Sequence, residues 1–132
     1  PLDALRRLVE FTFDHHHRHE AFIRMVMIEN IHHGEYIDRS DVIREVNATA
    51  IDHIAEIYAR GVQEGQFRPG LDPVELHWQI SALCFFNVSN RATFSRIFRV
   101  DLNSKKALTR LRSQVVEMML HNVLKAPGAG SP

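Results

Sequence analysis

The chain has 132 residues, 45% hydrophobic and 24% charged, and its 16 basic and 16 acidic side chains cancel. This is one domain of ordinary globular composition. No apolar run approaches the roughly 18 residues of a membrane helix, and a single cysteine, Cys84, excludes an internal disulfide framework and fits a reducing cytoplasm.

Two finer features qualify that frame. The start, PLDALRRLVEFTF, lacks the layout of a signal peptide, and an opening at Pro1 without Met leads us to expect a fragment or processed product. The charge is also unevenly distributed. Residues 1–75 carry 14 acids and 8 bases, net −6, while residues 76–132 carry 2 acids and 8 bases, net +6. The basic side chains form no dense run, so acidic and basic helices lying side by side are expected rather than a nucleic-acid surface.

Proline is confined to the ends and to Pro69 and Pro73, and the long proline-free stretches show helical periodicity. Five helices are expected, in an all-α bundle with antiparallel neighbours. The first, about 2 to 16, buries Leu5, Leu8, Val9 and Phe13. The second, about 20 to 33, carries Phe22, Met25 and Val26 on one stripe and Ile23, Met27 and Ile31 on another, with Gly34 as a left-handed cap.

The third helix, about 39 to 64, places Ile43, Val46, Ala50, Ile54, Ile57 and Tyr58 at three-and-four spacing, with Ser40 as a cap. It ends in the clearest loop, RPGLDPVE, inside which Asp72, Pro73 and Glu75 open the fourth helix with a cap, a first-turn proline and a favourable dipole. That helix, about 72 to 98, is apolar on more than one side. The fifth, about 104 to 124, carries a stripe of Leu108, Leu111, Val115, Met118, Met119 and Val123, which Val116, Leu120 and Leu124 widen. Both are expected to have apolar surface to spare. Residues 1–126 are expected to form the domain, and 127–132 a disordered tail.

Chemistry is sparse. Glu29 and His32 in IENIHHG have the Glu-x-x-His spacing of carboxylate-bridged metal bundles, which need a second copy and two further carboxylates. The nearest others, Glu75 with His77 and Glu117 with His121, have the wrong spacing. His15 and His19 in DHHHRHE stand four apart and could share a zinc or nickel ion, although a helix end and loop favours solvated or capping roles. Cys84 lies in the most apolar helix, where thiols are inert, and Ser89 and Ser95 lack the context of a nucleophile elbow. No metal, other cofactor or enzyme activity is expected.

Polar residues on apolar stripes are the remaining oddity: Glu29 after Phe22 and Met25, His53 beside Ile57, and Asn87 and Arg91 continuing the Ile80–Leu83 face. Each is either satisfied by a buried partner or marks a largely apolar cavity with a few polar anchors for a small molecule. Met25, His32, Trp78 and Cys84 complete the candidate lining.

The run ARGVQEGQFRPGLDP, with Gly61, Gly65, Phe67, Arg68, Asp72 and Pro73, and the segment FIRMVMIEN with its inward acid resemble the C-terminal domain of TetR-type transcriptional regulators. The likeness covers about residues 19–98 well and the flanking helices by order and length. It implies a small-molecule-sensing and dimerisation domain, most often of a repressor, whose DNA-binding helix-turn-helix lies N-terminal to it and is not seen in this chain. The last two long helices would pair with those of a twin subunit in a four-helix interface, through Phe85, Phe86, Ala92 and Phe94 on one and Val116, Met119, Leu120 and Val123 on the other. The partners implied are a second copy, a small-molecule effector, and DNA only through the absent head, with no membrane. A metal-binding bundle and a pocketless helical adaptor remain the alternatives.

Overall fold

The computed structural model describes residues 1–126, apart from the side chains at 44 and 46; the tail expected to be disordered lies outside the described residues. Six α-helices follow one another: α1 (Leu2–Arg18), α2 (Glu20–Ile31), α3 (Asp41–Gln63), α4 (Pro73–Ser89), α5 (Arg91–Phe98) and α6 (Lys105–Val123), with a 3-10 turn at Ile37–Arg39. The all-α bundle is as expected.

Two boundaries differ from expectation. The first helix runs past its expected end at about residue 16, through His17 to Arg18, and the chain turns on His19 alone. The long fourth helix divides at Asn90, where the backbone leaves helical angles for one residue before α5 begins.

Local chemistry accounts for the helix starts. Asp72 accepts from the backbone N–H of Val74 and Glu75 at 2.8 and 3.0 Å with Pro73 in the first turn, so the start of α4 is fixed as its sequence requires. Ser104 caps α6 through Ala107 N–H at 3.2 Å. Ser40 holds the cap position of α3 with extended backbone, but its hydroxyl makes no capping bond. After α2 both His33 and Gly34 take positive φ, 57° and 77°, so the expected left-handed stop spans two residues.

Helix α4 is central, packing against α1, α2, α3, α5 and α6. Its Leu76, Ile80 and Cys84 meet Leu5, Val9 and Phe13 of α1, Ile54 of α3, and Val115, Val116, Met119, Leu120 and Val123 of α6 in one core. The four α6 residues expected at a dimer interface are therefore protomer core, each at most 5% exposed. The stripe of α6 is wide because it faces several neighbours of its own chain, and Met118 is its one large apolar side chain left exposed among the described residues.

The segment between α3 and α4 is pinned rather than loose. The ring of Phe67, 1% exposed, lies directly over Gly61, where a Cβ would collide with it. Gly65 supplies the positive φ of 71° that turns the chain back. Tyr58 Oη donates to the carbonyl of Arg68 and accepts from Leu71 N–H, both at 2.9 Å. Arg68 in turn donates to the carbonyl and side-chain oxygen of Asn122 at 2.6 and 3.0 Å. The two charge halves also meet as expected at one point: Arg112 of α6 grips Asp14 of α1 through two 2.9 Å bonds and approaches Glu10 at 3.3 Å.

Candidate functional site

A groove of about 610 Å³ runs between α2 and α4. Val26, Met27, Asn30 and Ile31 form one wall, and Trp78, Ala82, Phe85 and Ser89 the other, with Asn90 at one end. It is apolar with a few amide and hydroxyl groups, the composition of a small-molecule site. It exists because α2 contacts only α1 and α4 closely, leaving its apolar residues partly uncovered: Phe22, Met25, Ile28 and Ile31 are all exposed.

Of the residues expected to bind a ligand, Trp78 lines this groove. Met25 on α2 and His32 just after it neighbour lining residues in the chain, both are exposed, and His32 meets Tyr36 edge-on. His53 is exposed on α3, and Ile57 packs against the core. Asn87 spends its amide on the carbonyl of Leu83, 2.9 Å away in its own helix. Phe85, expected at the dimer interface, instead lines the groove and meets the ring of His16 edge-on.

Glu29 has a different role from either one expected. One carboxylate oxygen accepts from the backbone N–H of Tyr36 at 2.8 Å and Ile37 at 2.9 Å. It thus caps the 3-10 turn at Ile37–Arg39 rather than anchoring a core ion pair or a ligand. The stripe it continues is not an inward one, since Phe22 and Met25 are exposed and Ile23 is the buried residue of α2; at the last turn of the helix the returning chain supplies its partners. Glu29→Ala is expected to cost about 1 kcal/mol and to speed amide exchange at Tyr36 and Ile37 selectively, as read by hydrogen-exchange NMR.

Cys84 is fully buried. Burial, and secondarily the negative charge of Asp14, pushes its thiol up to about 12. A thiolate is then scarce at neutral pH and the position is inert packing. A thiol reagent such as dithiobisnitrobenzoate should label the native protein no faster than it unfolds, and label it promptly in denaturant.

At the histidine-rich end of α1 two of the rings face each other. His15 and His19 stack with ring centroids 4.2 Å apart, and His19 Nδ1 lies 2.8 Å from the carbonyl of His15. Among the described residues no group of three His, Cys, Asp or Glu is placed to hold a metal.

Arg91 is the unusual member of the expected set. It is buried, 8% exposed, at the start of α5. Nη1 donates to Asn103 Oδ1 at 3.1 Å and lies 3.3 Å from His17 Nδ1. Among the described residues Nε and Nη2 meet no hydrogen-bond partner, and neither does the hydroxyl of Ser95, one turn further along α5. Burial pulls this guanidinium below its ordinary value, with the field of Glu20 acting the other way.

A second surface stands out on the outer side of α4 and α5. Val74, Trp78, Ala82 and Phe86 recur every four residues, all exposed, and Phe94 and Phe98 extend the line. Phe86 meets Phe94 edge-on, and Phe94 packs on Phe98 with ring centroids 4.5 Å apart. Ala92, expected in the same interface, is also exposed. Contiguous exposed apolar stripes of this kind are uncommon on monomeric proteins.

Comparison with known proteins accords with this architecture. The family model for the tetracycline-repressor-like C-terminal domain matches residues 1–119. The HTH-type transcriptional repressor NicS of Pseudomonas putida is 35% identical over 107 residues, covering 81% of this chain and 50% of the relative. The chain therefore spans about half the length of the curated relative it matches.

Proposed function

Since the chain belongs to the TetR-type transcriptional regulators as their C-terminal domain, we propose that residues 1–126 are the effector-sensing and dimerisation unit of a bacterial, cytoplasmic repressor. The family and the relative speak for regulation rather than catalysis. No helix among the described residues is long and apolar enough to cross a membrane. DNA would be bound by a helix-turn-helix N-terminal to this domain, and two copies would pair through the exposed stripe of α4 and α5.

One observation carries the sensing role: the open α2–α4 groove, with its largely apolar walls and sparse polar groups. A molecule held there touches α2 and the α4–α5 junction together, and so favours one arrangement of these helices over another. Linkage then transmits that preference to whatever α1 and the dimer carry.

The test is a thermal-shift survey of the purified protein with a panel of small metabolites. A sensor predicts that some panel member raises Tm by about 5 °C at saturating concentration. Substituting Trp78→Ala should reduce that shift, measured against the variant's own unliganded Tm because Trp78 also belongs to the exposed stripe proposed for pairing. No shift across the panel would favour a ligand-free dimerisation adaptor instead.

A further inference from the structure

We propose that the Nε/Nη2 edge of Arg91 anchors the carboxylate of a small organic acid whose apolar remainder lies in the α2–α4 groove. This inference rests on the sensing role above and names its ligand class.

The chain supplies its own reference for what such an edge binds. In a guanidinium Nε–H and one Nη2–H point the same way, matching the two oxygens of a carboxylate. Arg112 uses that same pair of nitrogens: Nε donates to Asp14 Oδ1 and Nη2 to Asp14 Oδ2, each at 2.9 Å. In Arg91 the corresponding edge meets no acceptor among the described residues, although this arginine is the more deeply buried of the two. A buried charge with unused donors is costly and calls for a counter-charge. Among the described residues no carboxylate is hydrogen-bonded to it; Nη1 donates to Asn103 and lies beside His17 Nδ1.

Ser89 and Asn90 line the groove and Arg91 is the next residue in the chain, although neither Arg91 nor Ser95 lines the groove in this arrangement of the helices. The Ser95 hydroxyl, also unpartnered and one turn along, is a further donor for an anion. The Arg91 edge is shut off from solvent, so a carboxylate reaches it only if α5 or the 99–104 segment moves. Helix α5 carries Phe94 and Phe98 of the exposed stripe, which would make ligand entry and subunit packing one coupled event.

The test compares benzoate and hexanoate with benzamide and hexanamide, their neutral counterparts, by thermal shift and calorimetry on the intact protein. The carboxylates are expected to raise Tm and the amides not to. Arg91→Met should abolish the response while leaving the unliganded Tm at or above wild type, and Arg91→Lys should retain part of it. Inorganic phosphate should give a smaller shift than either acid.

Equal responses to acid and amide, or none to either acid, would overturn the carboxylate assignment. Sensing would still stand if any neutral molecule of the wider panel raised Tm. A phosphate shift equal to that of the acids would reassign the edge to inorganic anions. Glu20 provides the internal alternative, since its field reaches Arg91. If Glu20→Gln and Arg91→Met lower Tm equally, with no further loss when combined, Glu20 is the counter-charge and the proposal fails.

Discussion

Gly61→Ala is expected to destabilise the protein by about 2–3 kcal/mol, because overpacking a filled core site costs that much. The sign runs against helix propensity, which favours alanine over glycine by about 1 kcal/mol in a helix interior. Gly61 lies in α3, and the added Cβ would fall within the ring of Phe67, closest to Cδ2, Cε2 and Cγ. That ring cannot swing away cheaply. It is 1% exposed, and backbone bonds from Gln66 and Phe67 to the carbonyl of Gly61, both 2.9 Å, hold it in place. The N–H of Arg68 is bonded to Val123 at 2.9 Å, so the segment is fixed to α6 as well.

Phe67→Ala should cost about 3–5 kcal/mol by opening a cavity in the same place. The two sites share one volume, so Gly61→Ala combined with Phe67→Leu should be clearly less destabilising than the sum of the singles. Urea titrations of the four proteins measure this coupling. A neutral or stabilising Gly61→Ala would show that the ring yields freely.

The second large effect concerns association. Phe86→Asp is expected to weaken the dimer by about 2–4 kcal/mol, a 30- to 1000-fold rise in dissociation constant, if Phe86 is an anchor of the interface. The protomer itself should be almost untouched, because Phe86 is 53% exposed and contributes nothing to the buried core. Val123→Ala provides the opposite control: 0% exposed and inside the core, it should lower protomer stability before it alters association. Sedimentation velocity at micromolar concentration, with thermal melts of the same samples, separates the two effects. A wild-type chain that sediments as a monomer there would remove the stripe from any role in pairing.

Much of the fold was legible because local chemistry and tertiary packing agree. Asp72, Pro73 and Glu75 announce the start of α4, and the capping bonds are where that triplet requires them. The Gly61–Gly65–Phe67 run was legible as a family pattern, but its cause is spatial: one glycine admits a ring and the other supplies a positive φ. The division at Asn90 has no proline or glycine to signal it, which is why the sequence reads as one helix through residue 98.

The candidate site was harder to read, for the same physical reason. Periodicity tells which face of a helix is apolar, but not which neighbour covers it. On α6 a wide stripe looked like surplus and proved to be core, since the helix packs against α1 and α4 of its own chain. On α4 the stripe through Trp78 and Phe86 is uncovered, as the sequence reading expected of that helix. Glu29 continues the Phe22–Met25 stripe, which is exposed rather than inward, and it answers to loop amides seven and eight residues on, a partnership that spacing cannot reveal. Arg91 was singled out as a polar residue on an apolar face, and only its unmatched Nε and Nη2 distinguish it from a satisfied core arginine.

The central claim, that this domain senses a molecule on behalf of a DNA-binding head, is tested most directly on the complete reading frame. Affinity for DNA from its own promoter would be measured by fluorescence anisotropy, with and without a molecule that raises the Tm of this domain. Saturating ligand is expected to shift DNA affinity by about 5- to 150-fold, with DNA shifting ligand affinity by the same factor. A ligand that binds this domain tightly and leaves DNA affinity unchanged would contradict it.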